Sequence, residues 1–243
     1  MSGVAALDTL VGGGLDRGTS TLVMGPAGSG KSTLAMQYVL QALAGNERAL
    51  FISFDETRRN FFRRAEGLGM DFRQHGDRFS FVQVDPAELS PGELTSVIRR
   101  HVEKDDVSVV VLDSLSGYQN AMPEEQFLLL QMHELLTYLN QQGVLTLLVL
   151  AQHGLVGHMQ SPVDLTYLSD AVLLLRFFEA FGQLKRAISV VKKRTGGHEA
   201  SIREYRIDTD GLRVGEPLSN FSGVMTGVPT FVGNEGELLE NRA

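Results

Sequence analysis

With 243 residues, no cysteine and a formal net charge of −7, the chain is long enough for one large domain with a substantial core. The missing thiols exclude disulfides, zinc–thiolate sites and cysteine nucleophiles, and the acid excess argues against a surface built mainly for a nucleic-acid backbone. No apolar run reaches membrane-spanning length and nothing at the N-terminus reads as an export signal, so a cytoplasmic protein with no membrane partner is expected.

The first strand is expected at Ser20-Thr21-Leu22-Val23-Met24. It leads into Gly25-Pro26-Ala27-Gly28-Ser29-Gly30-Lys31-Ser32, a complete G-x-x-x-x-G-K-S phosphate loop, and the run from Thr33 to Leu40 reads as a helix. Strand, glycine loop and helix together imply a nucleoside triphosphate. Backbone N–H groups over Ala27, Gly28, Ser29, Gly30, Lys31, Ser32 and Thr33 wrap the phosphates, and the helix dipole adds positive potential. Lys31 is expected to reach the β- and γ-phosphates, and the Ser32 hydroxyl to take one position on Mg²⁺.

A second strand, 48–54, ends at Asp55-Glu56, and a basic helix carrying Phe61 and Phe62 follows through Ala65. Acids at that strand end reach the ligand crevice of a parallel sheet, where they polarise an attacking water or hydroxyl; otherwise they are solvated turn acids. A short strand at 79–84, a turn region at 86–91 and a helix over 92–104 come next. Val107-Ser108-Val109-Val110-Val111-Leu112 is a buried strand closed by Asp113, the expected Mg²⁺-holding carboxylate opposite Ser32. Asp55 completes the candidate metal set, and Ser114 either extends this network or caps the next turn. Residues 123–142 read as a helix with Phe127, Leu130, Leu135 and Leu139 at helical spacing. A strand over 144–150 stops at Gln152, either a γ-phosphate sensor or a plain polar strand end.

Alternation of this kind implies a parallel sheet with helices on both faces. The last third changes character. Strands over 170–176 and 184–192 pair across a turn containing Gly182, and 202–207 with 211–214 form a hairpin turning at Thr209-Asp210-Gly211. These extend the same sheet in antiparallel fashion. The expected organisation is an ATPase-type domain over 1–215 and a partly ordered tail over 216–243.

Several segments resemble one family. They are Ser2-Gly3-Val4 through Leu7-Asp8, Gly12-Gly13-Gly14-Leu15 and Arg17-Gly18 leading into the phosphate loop, Phe51-Ile52-Ser53-Phe54-Asp55-Glu56, and Gly69-Met70-Asp71-Phe72. Lys185-Arg186-Ala187-Ile188-Ser189-Val190-Val191-Lys192-Lys193-Arg194, His198, Ile202-Arg203-Glu204-Tyr205 and the tail Phe221-Ser222-Gly223-Val224-Met225-Thr226-Gly227-Val228-Pro229-Thr230 belong with them. Together they are similar to the KaiC branch of the RecA-like ATPases, the circadian clock family, over nearly the whole chain. Members carry two such domains in tandem, and this tail resembles the end of the second.

The resemblance implies a RecA-like phosphate-loop domain, ATP and Mg²⁺ as cofactors, and a homo-hexameric ring with ATP between neighbouring subunits. Lys192 and Arg194 match the basic pair given across the interface to the γ-phosphate, with Lys193 between them, and Arg186 matches a further nucleotide-contacting arginine. Two positions depart from the pattern. The usual Glu-Glu pair is Asp55-Glu56, and the adenine-stacking aromatic is Leu68. An adjacent Ser-Thr phosphoacceptor pair falls on Thr166-Tyr167, with Ser161 and Ser169 as nearby alternatives and Thr166 preferred. The function so implied is a ring-forming Mg²⁺-ATPase with serine/threonine autophosphorylation in clock-like or signalling regulation, partnered by itself and by clock or histidine-kinase-type proteins. Competing readings are a DNA-dependent ATPase and a nucleotide-gated scaffold with little turnover. Residues 151–169 hold two histidines and no lysine or arginine, which disfavours a nucleic-acid partner.

Overall fold

A computed structural model gives the architecture. The residues it describes are all but 86, 87, 89, 121–124, 153–164, 210, 227–228 and 232–243. Elements run in the order α1 (Ala5–Leu10), β1 (Ser20–Gly25), α2 (Lys31–Ala44), β2 (Arg48–Ser53), α3 (Arg58–Gly67), β3 (Phe79–Gln83), α4 (Pro91–Asp105) and β4 (Val107–Asp113). Then come α5 (Leu115–Asn120), α6 (Glu125–Gln141), β5 (Leu145–Ala151), β6 (Ala171–Ala180), β7 (Gln183–Lys193), β8 (Ile202–Asp208), β9 (Gly211–Pro217), β10 (Phe221–Ser222) and β11 (Thr230–Phe231).

Nine strands form one sheet in the order β3-β2-β4-β5-β1-β6-β7-β8-β9. Pairs from β3 through β6 are parallel, and β6–β7, β7–β8 and β8–β9 are antiparallel. The chain is therefore a RecA-like α/β domain with an antiparallel C-terminal extension, as its alternating pattern predicts.

The strands read as continuous apolar runs because both faces of the sheet are covered. Val109 and Val111 of β4 enter the core beneath α1, α2 and α3, while Val110 and Leu112 enter the core beneath α4, α5 and α6. Local chemistry sets the helix starts. Ser90 and Glu93 make a reciprocal capping box at α4, with Pro91 in its first turn, and Thr57 Oγ1 accepts from Asn60 N at 3.4 Å to start α3.

Some expectations change. Along α6 the buried face is Leu128, Met132, Leu135, Leu136 and Leu139, whereas Phe127 and Leu130 are 48% and 54% exposed. Each helical residue turns about 100°, so those two lie off the stripe through 128, 132 and 139. Helices α1 and α5 and a 3₁₀ segment at Arg73–Arg78 have no counterpart in the predicted elements, since six residues are too few to display a period. Packing also continues past β9. Leu218 and Val224 are buried with Phe178, and the β10–β11 pair carries Phe221 and Phe231. Residues 227–228 and 232–243 of the tail, the 86–91 turn centre, the first residues of the 123–142 helix and Asp210 lie outside the described residues. Among the described residues, no helix is long and apolar enough to cross a membrane.

Candidate nucleotide site

Parallel strands β1, β2, β4 and β5 all end at one edge, and a cavity of about 580 Å³ opens there. Its floor is the phosphate loop. Gly30 caps α2 at φ +97°, a left-handed conformation, and no side chain caps the helix. A β-carbon at Gly30 would sit 2.3 Å from Ile207 Cδ1, so a side chain there would push that isoleucine tip aside as well as strain the left-handed backbone. The loop thereby borders the cavity at the N-terminal, positive end of α2, where an anion is favoured.

Below the loop, Ser29 is fully buried and lines no part of the cavity. Its Oγ donates to Pro26 O at 2.8 Å, and its carbonyl accepts from the Tyr205 hydroxyl on β8. Tyr205 and Ile207 thus support the loop from the C-terminal extension. Ala27, Gly28, Gly30, Lys31, Ser32 and Thr33 do line the cavity.

Lys31 Nζ donates to Pro26 O at 2.8 Å, and burial lowers its pKa to about 8 against a partly offsetting attraction to Asp113. Asp113, at the end of β4, moves the other way. Desolvation pushes its carboxyl up to about 6, an effect that the nearby Ser32 hydroxyl and the Arg64 and Lys31 cations only partly offset. A hydroxyl and a buried carboxylate, both oxygen donors beside the phosphate loop, fit Mg²⁺, which takes one or two carboxylates plus phosphate oxygens and water.

The acid pair splits. Asp55 is exposed toward the cavity, its Oδ2 accepting from Ser114 Oγ at 2.7 Å, so Ser114 extends the network. Glu56 instead pairs with Arg64 of α3: Nε donates to Oε1 at 3.2 Å and Nη2 to Oε2 at 2.5 Å. Gln152 N donates to Gly25 O at 2.9 Å, and its side-chain Oε1 is buried with no partner among the described residues. Leu68 and Arg186 also line the cavity, and the Arg186 guanidinium lies 5.6 Å from the Phe177 ring centroid.

Lys192, Lys193 and Arg194 do not line it. Lys192 Nζ donates to Thr166 O and Ser169 O, both at 2.8 Å, and Arg194 bonds Tyr167 O at 2.7 Å and Asp170 Oδ1 at 3.3 Å. Lys193 Nζ is turned inward onto Val11 O and Gly14 O at 2.8 and 3.0 Å. Ser169 is fully buried with its Oγ donating to Leu165 O, Tyr167 is about half exposed, and Ser161 lies outside the described residues. Sequence reasoning missed Arg64, Tyr205, Ile207 and Ser53, whose Oγ accepts from Glu56 N at 3.0 Å.

The comparison with known proteins decides the lineage. A family model described as "ATPase: KaiC" matches residues 1–219. The chain belongs to the KaiC ATPase family. Its relatives include the circadian clock protein KaiC3 of Synechocystis sp., 28% identical over 233 residues covering 95% of this chain and 46% of the relative. The circadian clock oscillator protein KaiC of Synechococcus elongatus is 27% identical over 234 residues, with 95% of this chain and 45% of the relative covered. That of Acaryochloris marina is 28% identical over 235 residues, with the same coverage. The chain therefore spans about half the length of the curated KaiC relatives it matches, and it corresponds to one KaiC-type ATPase domain.

Proposed function

We propose that this chain hydrolyses ATP with Mg²⁺ and that neighbouring copies in a ring complete each site. The observation that carries the reading is the cavity that gathers Lys31, Ser32 and the buried Asp113 carboxylate at the foot of the phosphate loop. Ser32 and Asp113, with Asp55 on the same cavity, would hold Mg²⁺, which would supply positive charge to the triphosphate. The loop amides and Lys31 bind and orient the triphosphate, Leu68 offers apolar contact to the base, and Arg186 borders the same cavity. A carboxylate of the acid pair takes a proton from water as the water oxygen bonds the γ-phosphorus. The bond to the β–γ bridging oxygen breaks, and ADP leaves with the electron pair.

Lys192 and Arg194 supply the cations from the adjacent subunit, exchanging carbonyl partners for phosphate oxygens. Support comes from their bonds to Thr166, Tyr167 and Ser169 carbonyls, which make the cation pair and the acceptor stretch one unit. That unit would reach a neighbour's γ-phosphate together, so Thr166 is the proposed autophosphorylation site, its hydroxyl competing with water. The activity belongs to clock-like or signalling regulation, in keeping with the names of the relatives.

Incubation with Mg-ATP, following intact mass and released phosphate together, tests this, with Lys31→Ala as the blank. A phosphate-sized mass gain mapping to 161–169 is expected beside phosphate release; release with unchanged mass leaves a plain ATPase, and neither signal overturns the reading. A second test uses α5. A β-carbon at Gly117 would lie 2.6 Å from Asp55 Oδ1, the mobile end of that side chain. Gly117→Ala should therefore displace Asp55, not the backbone, and lower phosphate release by roughly tenfold at an unchanged melting temperature.

A further inference from the structure

Glu56 and Asp55 are adjacent, of like charge, and both border the nucleotide cavity, yet they have different partners. Thr57 caps α3, which brings Arg64 back beside Glu56 eight residues earlier. The Arg64 fork is held on three sides. Two nitrogens grip the two Glu56 oxygens, the third donates to Met36 Sδ of α2 at 3.0 Å, and the guanidinium lies 5.8 Å from the Phe61 ring centroid. Planar two-point pairing of this kind fixes a carboxylate in geometry as well as in charge. Among the described residues no cation pairs with the Asp55 carboxylate, which accepts from the Ser114 hydroxyl.

We propose that Arg64 is a positioning residue that divides the acid pair, holding Glu56 as a neutralised wall of the nucleotide cavity and leaving Asp55 as the member that takes the proton. This rests on the ATPase reading above. Its logic is electrostatic. The cavity must admit a polyanionic triphosphate, and an unpaired Glu56 carboxylate on its wall would repel that charge in a partly desolvated setting. Arg64 cancels the repulsion from the cavity wall, with three of its five N–H donors committed to Glu56 and Met36. Glu56 is thus unavailable as a base for the same reason that it is tolerated in the cavity.

The test is a four-corner cycle of wild type, Arg64→Gln, Glu56→Gln and the double variant, with Asp55→Asn alongside. Steady-state kinetics and the Kd of a fluorescent ATP analogue are measured for each. Arg64→Gln should raise KM and Kd for the nucleotide about tenfold with kcat within about threefold. Glu56→Gln should change kcat by no more than about threefold, and adding it to Arg64→Gln should bring KM and Kd back to within about twofold of wild type. Asp55→Asn should lower kcat by roughly 10²-fold or more. Arg64→Lys, which keeps the charge and loses the fork, should raise KM by at most about threefold, and it serves if Arg64→Gln folds poorly. A Glu56→Gln kcat as low as that of Asp55→Asn overturns the division of the pair. So does failure of Glu56→Gln to rescue Arg64→Gln. Wild-type protein without turnover sinks the ATPase reading instead, and the Kd cycle still decides whether Arg64 acts through Glu56.

Discussion

Asp113→Asn is expected to stabilise the nucleotide-free chain while removing nearly all Mg²⁺-dependent phosphate release. The carboxyl of Asp113 is raised from 3.8 to about 6, because burial penalises its charge by more than the Ser32 hydroxyl and nearby cations recover. A carboxyl with a raised pKa contributes stability that is fully present below pH 3.8 and lost as pH rises through about 6. Each pKa unit is about 1.4 kcal/mol, so the ionised group costs the folded state roughly 3 kcal/mol near neutral pH. Asparagine is nearly isosteric and carries no such cost. Differential scanning calorimetry without nucleotide should show Asp113→Asn melting above wild type at pH 7, with the gap closing toward pH 4. Phosphate release should fall by roughly 10²–10³-fold, the scale of losing one preorganised charge-stabilising group. A variant that melts below wild type at pH 7 would show that the carboxylate is a structural asset, contrary to this account.

Lys31→Met is expected to produce the second large effect, by the mirror-image argument. Burial lowers the lysine from 10.5 to about 8, so its stability contribution is full above pH 10.5 and lost as pH falls through about 8. At pH 7 the ammonium costs roughly 3 kcal/mol in the nucleotide-free state, by the same conversion. Its hydrogen bond to Pro26 O is one contact where an ammonium has three donors. Triphosphate oxygens would satisfy the others. Turnover should drop roughly 10²–10³-fold and nucleotide affinity should fall with it, while the empty protein melts no lower than wild type. Taken together, the two groups predict a nucleotide-free stability minimum between about pH 6 and pH 8, in the range where the filled site is needed. Melting curves across that range, with Asp113→Asn and Lys31→Met removing one shoulder each, check the sign of both effects.

The parallel half of the fold was legible because its strands are unbroken apolar runs between glycine and acid punctuation. The phosphate loop and Asp113 were legible because each sits at the end of such a strand. On α6 the period was right and the face was half right: Leu135 and Leu139 are buried while Phe127 and Leu130 are not, because apolar residues lie on more than one side of the helix and packing chooses among them. Arg64 could not be read as part of the site. In a segment as basic as α3, an arginine looks like solvated surface, and its partnership with Glu56 depends on how the turn at Ser53–Thr57 folds back. Lys192, Lys193 and Arg194 were visible as a charge run, and only the family resemblance gave two of them a nucleotide. Their inward bonds within one chain follow from β7 ending beside the 165–170 stretch, which sequence spacing does not disclose.

The hydroxyl of Tyr205 under Ser29 joins residues 176 positions apart. The most local motif in this chain is therefore finished by one of its most distant contacts. A fragment ending before β8 would carry every letter of the phosphate-loop signature and none of its strut. Such a fragment would keep the loop's own bonds to Pro26 O but lose Tyr205 and Ile207, the two β8 side chains that back it. During synthesis the loop would emerge early and gain that backing only when β8 docks, 176 positions later in the chain.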